Sequence, residues 1–393
     1  MTAVDGLQSL EELSAWRGRR IVVAMSGGVD SALAAVLLHE AGAEVIGIHM
    51  RVWHYDEDAC AARPGTATCC SPADVKDARR VADQFGFPFY SIDFQLDFRQ
   101  AVIDPFIREY LAGRTPNPCV SCNNRLKLGA LLGKAQAYGA EAVATGHYGR
   151  IFFNEQSGRA ELRSAADADK DQSYYLFGLA QAQLRRLVMP LGGLGKPQVR
   201  ELARARGLHL ADKPDSVEIC FVTDNDYRRF LREEAGLDEA ALAGAIVDTR
   251  GQVLGRHAGI HNYTIGQRKG LGLAAPRPLY VVELLAESKT VVVGFEEDIL
   301  SPGLELTGLN WVGLAPQGEP FRARVKIRYR NAGAAATVYP EAEDGSKARV
   351  VFDAPMRAVA PGQAAVAYDE ASGQRVLAGG WITRRLAPGG PAG

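Results

Sequence analysis

The sequence has little excess charge, few cysteines and no long apolar run. Its 45 basic and 46 acidic residues leave a formal net charge of −1 over 393 residues, so nothing at whole-chain level marks a nucleic-acid binder, although a balanced total hides local patches of one sign. No apolar stretch reaches the roughly 18 residues that a transmembrane helix needs. The opening "MTAVDGLQSLEELSAWRGRR" lacks a continuous apolar centre and reads as neither signal peptide nor membrane anchor, so a cytoplasmic location is expected. Only six cysteines occur; in a reducing compartment they are thiols, and catalysis or metal binding is the first question they raise. What is plentiful is apolar side chain, 47% of residues, enough to bury the cores of two or three domains.

Residues 20 to 150 alternate short β-branched runs with amphipathic stretches. "RIVVAM", "EVIGIHM", "FPFYSIDF" and "EAVATGHY" read as strands. "SALAAVLLHEAG", ended by Gly42, "SPADVKDARRVADQFG", with Ser71 as N-cap and Pro72 at the first helical position, and "FRQAVIDPFIREYLAG", with an internal Pro105, read as helices. The repeated βα pattern predicts a parallel, doubly wound sheet. Past about residue 210 the pattern fades: "DKPDSVEICFVTDNDYRRFLREEAG" is a loop leading into a helix, and short strands with Gly-rich turns begin at Ala245. From about residue 300 the pattern is all β, with a hairpin turn at Asp344 and Gly345. The expected class is α/β in three domains: a doubly wound parallel sheet over 1–213, a small mixed domain over 214–297 and a β-barrel-like domain over 298–393.

"AMSGGVDSALAAV" places Ala24 and Met25, then Ser26, Gly27, Gly28, Val29, Asp30 and Ser31, between the first strand and its helix. Glycines let backbone approach an anion, and a helix N-terminus offers unpaired N–H groups at the positive end of its dipole. The loop has neither the lysine of GxxxxGK[ST] nor the third glycine of the dinucleotide fingerprint, which excludes both. A plain Gly-Gly turn with Asp30 or Ser31 capping a helix is the alternative. The pattern resembles the pyrophosphate loop of the N-type ATP pyrophosphatases, which split ATP while adenylating a carbonyl oxygen. That resemblance implies that Asp30 helps hold Mg²⁺ on the phosphates, since magnesium favours one or two carboxylates together with phosphate oxygens.

"TPNPCVSCNNRLK" sets Cys119 and Cys122 three apart on a segment shaped by prolines, consistent with a metal half-site, a redox pair or nucleophiles. With "ATGHYGR", "DKDQSYYLFGL", "KPQVRELARARGL", "DSVEICFV", "TIGQRKGLG", "IRYRN" and "APGQAAV", this segment resembles the bacterial tRNA-specific 2-thiouridylase family, in order from about residue 20 to residue 385. The resemblance implies that Cys220 carries a persulfide supplied by a sulfur relay or a cysteine desulfurase, and that Cys122 is the partner thiol that releases the sulfur through a transient disulfide. ATP would adenylate the 2-carbonyl oxygen of a tRNA wobble uridine, and sulfur would displace AMP. Met50 and Gly146 map onto ATP contacts. Asn117, Pro118 and Cys119 map beside the target base, and His147, Lys170, Asp171, Gln172, Arg328, Tyr329 and Gln363 onto tRNA contacts.

Position 119 departs from a form of the family that carries an aspartate there, and a thiol with an ordinary pKa near 8.5 only partly replaces a carboxylate in acid–base work. Cys119, Cys122 and Cys220 together also suit an iron–sulfur cluster with one open iron site. Structural zinc is disfavoured because Cys60, Cys69 and Cys70 supply no second CxxC. "FRARVKIRYRN" alternates Arg322, Arg324, Lys326, Arg328 and Arg330 with apolar residues, so as one strand it would put five cations on a single face suited to RNA phosphates. His257 and His261 are expected to face tRNA or to be structural. Two other readings stay open: an amide-forming ATP pyrophosphatase, which needs neither the thiols nor the basic face, and a non-catalytic RNA-binding iron–sulfur protein.

Overall fold

The computed structural model describes residues 10–53, 72–215, 219–222, 224–238, 242–341 and 345–387. Ser71, Asp344, Cys60, Cys69 and Cys70 lie outside the described residues, and with them the expected N-cap and part of the expected hairpin turn. The chain forms two compact units, Met1–Val102 with Cys119–Asn225 and Gln374–Val376, and Ile103–Pro118 with Asp226–Gly373 and Leu377–Gly393.

In the first unit, β1 (Arg20–Ala24), β2 (Glu44–Arg51), β3 (Phe89–Asp93), β4 (Ala142–Thr145) and the short β7 (Leu187–Val188) form one sheet in the order β3-β2-β1-β4-β7. Every neighbouring pair is parallel. Parallel strands buried on both faces are apolar throughout rather than alternating, and Ile21, Val22 and Val23 are each fully buried. Helices α1 (Val29–Glu40) and α2 (Pro72–Phe85) follow the expected pattern, and α3 (Lys196–Ala205) forms on the "KPQVRELARARGL" motif; α1 buries Val29 and everything from Ala32 to Leu38 against a core that also holds Leu13, Val199 and Leu208. At roughly 1.5–3 kcal/mol for each fully buried aliphatic side chain, this helix is fixed by packing more than by propensity. A hairpin, β5 (Arg150–Asn154) and β6 (Arg159–Arg163), branches from the strand order between β4 and β7. The order turns around between β1 and β4, and the crevice at the carboxyl ends of those strands is where open α/β sheets bind ligands.

The segment expected as one helix through Pro105 is a continuous helical run, Gln95–Phe98, Arg99–Ile103 and Asp104–Leu111, whose middle turn just before the proline is widened to π geometry. A second π-turn, Cys122–Ala130, sits between the helical turns Pro118–Ser121 and Leu131–Ala137. Widened turns of this kind are rare and concentrate at functional sites.

The second unit holds two β systems. A mixed sheet in the order β10-β11-β8-β9 is made of β8 (Gly244–Asp248), β9 (Val253–His257), β10 (Tyr280–Leu285) and β11 (Thr290–Gly294), with β8 and β11 parallel. A closed barrel in the order β12-β15-β14-β13-β16-β17 follows from β12 (Leu300–Trp311), β13 (Phe321–Lys326), β14 (Ala334–Pro340), β15 (Lys347–Arg357), β16 (Ala364–Tyr368) and β17 (Val376–Arg385). Closure leaves no unpaired edge and encloses a core that includes Leu304, Val325, Val338, Val350 and Ile382. Ahead of both, α4 (Tyr227–Ala235) starts on Asp226, whose carboxylate accepts from the Arg228 and Arg229 amides, and stops at Gly236 with φ 57°.

Candidate active site

The loop after β1 is built to keep the N-terminus of α1 open. Gly28 is its N-cap in extended conformation and no side chain caps the helix, so the turn reading in which Asp30 or Ser31 caps it is not what forms. Ser31 braces the loop instead: its hydroxyl donates to the Gly28 carbonyl at 3.1 Å and accepts from the Ser26 amide at 3.0 Å. Gly27 has φ +79°, and a Cβ there would lie 2.4 Å from the Asp74 carbonyl oxygen of α2, so only glycine fits. Met25 is pinned below by the His49 ring of β2, whose Nδ1 is 2.9 Å from the Met25 carbonyl oxygen; Met50 follows, buried, at the carboxyl end of the same strand. From β4, Gly146 lies flat against the first turn of α1, where a Cβ would meet the Ser31 nitrogen at 2.6 Å and the Asp30 carbonyl carbon at 2.7 Å. Gly146 and the loop thus meet at the carboxyl ends of β4 and β1, and Met50 lies on the neighbouring strand β2.

The arrangement departs from expectation at Asp30. Its two oxygens accept from Lys196 Nζ at 2.7 and 2.8 Å, and one also accepts from the Tyr148 hydroxyl at 2.8 Å. Burial and the Asp30 charge push the Tyr148 pKa up, so this phenol stays a donor. A carboxylate already engaged by a buried ammonium and a phenol does not fit the role of a direct magnesium ligand in this arrangement, and no step is assigned to a metal through it. Lys196 was not singled out by sequence reasoning: its partner is 166 positions away.

Lys196 also reaches Asp215 at 2.8 Å, and Asp215 accepts from Lys170 at 2.8 Å and Arg200 at 3.1 Å. Burial opposes the Asp215 charge, but bonds from Lys170 and Lys196 outweigh it and hold the carboxyl below its ordinary range. Lys213, two residues earlier, donates to the Gly27 carbonyl at 2.9 Å and to Asp74 and Asp77 at 2.7 and 2.6 Å. Of the "KDQ" motif, Lys170 is part of this network. Asp171 instead accepts from the Ala165 and Ser173 amides, and Gln172 accepts from the Tyr148 amide at 2.9 Å, so these two side chains hold backbone. The His147 ring bonds Thr145 at 2.9 Å; burial and, secondarily, the Lys127 ammonium push its pKa down to about 3, so it is a neutral imidazole at physiological pH.

Cys119 is exposed, and Cys122 and Cys220 are partly exposed. Cys122 opens the π-turn of its helix. Cys220 precedes the buried Phe221, whose ring meets Phe98 edge-on at 5.6 Å and Trp53 at 6.5 Å, an aromatic anchor for the thiol-bearing segment. Among the described residues no group of three or more His, Cys, Asp or Glu side chains is arranged to hold a metal ion, and no step is routed through a cluster.

In the second unit the row of five cations does not form. β13 ends at Lys326, so Arg328, Tyr329 and Arg330 leave the strand in a turn. Arg322 has carboxylate neighbours, Asp353 at 2.7 Å and Glu370 at 2.6 Å, and Lys326 lies over the Tyr368 ring at 4.7 Å. The Arg328 guanidinium donates to the Arg357 and Ala358 carbonyls. Gln363 donates to the Thr115 and Pro116 carbonyls at 3.0 and 3.2 Å, shaping the chain just before Asn117 and Pro118. His257 is structural, bonded to the Lys289 carbonyl and the Gly259 amide, and His261 is buried.

Two outcomes follow from this geometry. Gly146→Ala forces backbone atoms of the loop apart and weakens ATP binding at least tenfold while the fold persists, read by titrating ATP against the melting temperature. For His147, a folded pKa below the unfolded value of about 6.5 means that its contribution is complete above that pH and is lost as pH falls toward about 3. His147→Gln should therefore flatten the decline of melting temperature between those pH values; an unchanged slope contradicts the burial of the neutral ring.

Three family models match the chain consecutively: a tRNA methyl transferase HUP domain over residues 19–224, a tRNA methyl transferase PRC-barrel domain over 228–295 and an aminomethyltransferase beta-barrel domain over 301–382. A curated relative from Geobacter metallireducens, named tRNA-specific 2-thiouridylase MnmA, is 51% identical over 371 residues, covering 94% of this chain and 98% of its own. A relative of the same name from Symbiobacterium thermophilum is 49% identical over 369 residues, covering 94% and 93%. Among solved structures, an NMN synthetase from Francisella tularensis aligns at 18% identity with a TM-score of 0.33 over 58% of this chain and 85% of that one, a likeness too slight to bear on function. Near-complete alignment at about half identity places this protein in the tRNA-specific 2-thiouridylase family.

Proposed function

We propose that the protein is an ATP-dependent sulfurtransferase that converts a tRNA wobble uridine to 2-thiouridine. The observation that carries this reading is the uncapped first turn of α1 on its Gly27–Gly28 loop, in a chain of which 94% aligns with a named 2-thiouridylase. The triphosphate is bound by backbone N–H groups at that helix end, with Ala24, Met25, Ser26, Gly27, Gly28, Val29, Asp30, Ser31, Met50 and Gly146 around the nucleotide. The uridine 2-oxygen attacks the α-phosphate, pyrophosphate leaves, and a poor leaving group becomes a good one. Magnesium accompanies the phosphates as their counter-ion.

Sulfur then arrives as a persulfide on Cys220, charged by a cysteine desulfurase or a relay protein. The terminal sulfur attacks C2 and AMP departs with the oxygen. The Cys122 thiolate attacks the Cys220 sulfur, the bond to the transferred sulfur breaks with its electron pair staying on the tRNA, and a Cys122–Cys220 disulfide remains to be reduced by an external thiol. Cys119 lies beside the base with Asn117 and Pro118. His147, Lys170, Asp171, Gln172, Arg328, Tyr329 and Gln363 form the tRNA-side constellation, in which Asp171, Gln172 and Gln363 act by holding backbone. The division of labour is an ATP domain over 1–213 and tRNA-binding domains over 214–297 and 298–393, in the cytoplasm. Among the described residues no helix is long and apolar enough to cross a membrane. A methyl-transfer reading, suggested by the wording of the domain models, leaves the anion loop and the two thiols without a task.

Cys220→Ser and Cys122→Ser should each eliminate 2-thiouridine from digested tRNA, measured by mass spectrometry, while tRNA binding persists, because a hydroxyl neither carries sulfur nor exchanges with a persulfide. Cys119→Ser should retain partial activity. A dead Cys119→Ser enzyme that has also lost iron present in the anaerobically purified parent would turn the reading toward a cluster. Full thiolation by Cys220→Ser would overturn it.

A further inference from the structure

The motif "KPQVR" opens α3 and places Lys196 and Arg200 one turn apart on the same helix face. Both grip one short segment. Arg200 donates to the Ala211 carbonyl at 2.7 Å, the Lys213 carbonyl at 3.0 Å and the Asp215 carboxylate at 3.1 Å, and Lys196 spans Asp215 and Asp30. From the segment itself Lys213 returns to the Gly27 carbonyl. Residues 211–215 are therefore tied to the nucleotide loop at two points, Gly27 and Asp30, and Cys220 stands five residues beyond Asp215. Lys170 supplies the third cation on Asp215.

The charges explain why the tie is strong. Asp215 and Asp30 share one ammonium whose side chain is 10% exposed, and a buried ion stripped of a partner costs several kcal/mol, so the shared geometry is enforced. We propose that Asp215, clamped by Lys196 and Arg200, is a positioning residue that registers the Cys220 segment on the nucleotide loop, so that the persulfide meets the uridine only where it has been adenylated. This rests on the sulfurtransferase reading.

The test is the yield of 2-thiouridine per AMP released, with tRNA, ATP and a persulfide donor present. Asp215→Asn keeps shape and loses charge; it should lower that ratio at least tenfold, with tRNA-dependent AMP release retained within a few-fold. Arg200→Gln, which breaks three of the segment's bonds and leaves the Lys196–Asp30 pair intact, should lower it in the same sense and serves if Asp215→Asn does not fold; Arg200→Lys should recover part of it. A fold-supporting role alone would reduce both products together, and an unchanged ratio in the folded variant overturns the proposal. Absence of 2-thiouridine with the unaltered protein would sink the sulfurtransferase reading itself, an outcome distinct from an unchanged ratio.

Discussion

A single buried ammonium organises the first unit. Lys196 has only 10% of its side chain exposed and faces two carboxylates, Asp30 on the nucleotide loop and Asp215 on the segment that leads to Cys220. The ion pair is retained although burial of charge is costly, and it ties Asp30 of the loop to Asp215. Around it the remaining side chains fall into supporting places, with Tyr148 donating to Asp30, Lys170 and Arg200 to Asp215, and Lys213 to the Gly27 carbonyl. A site held in this way is organised before substrate arrives, which is where electrostatic stabilisation of a developing charge is most effective.

This arrangement also changes the meaning of the loop's carboxylate. The resemblance of its loop to the pyrophosphate loop of the N-type ATP pyrophosphatases implied that Asp30 helps hold magnesium. In the structure the carboxylate is an acceptor for an ammonium and a phenol, and no side chain caps the positive end of α1. The side chains of α3, Lys196 and Arg200, instead tie Asp30 to Asp215 and to the backbone of residues 211–213.

Much of the fold was legible because its signals are local. β1 to β4 and α1 are apolar runs bounded by glycine and helix starts, and the Gly27–Gly28 loop falls at the strand–helix boundary that gives it meaning. The barrel was legible as a class from short alternating strands. What could not be read was where a ladder stops and what lies across from a charge. "FRARVKIRYRN" alternates throughout, yet the strand ends at Lys326, and the carboxylates that neutralise Arg322 come from residues 353 and 370. Asp171 and Gln172 map onto tRNA contacts by resemblance, and no pattern in the sequence shows that their side chains satisfy backbone groups at Ala165, Ser173 and Tyr148. The Lys196 pairing joins positions 166 apart, a distance over which sequence pattern carries no register.

The loop, the thiols and the clamp converge on one chemical claim, that the uridine 2-oxygen is activated as an adenylate before sulfur replaces it. A tRNA carrying the heavy isotope of oxygen at C2 of its wobble uridine tests this directly when turned over with ATP and a persulfide donor. The recovered AMP should then carry the label, because the C2–O bond breaks with oxygen remaining on phosphorus. Formation of 2-thiouridine with unlabelled AMP would contradict adenylation at that oxygen.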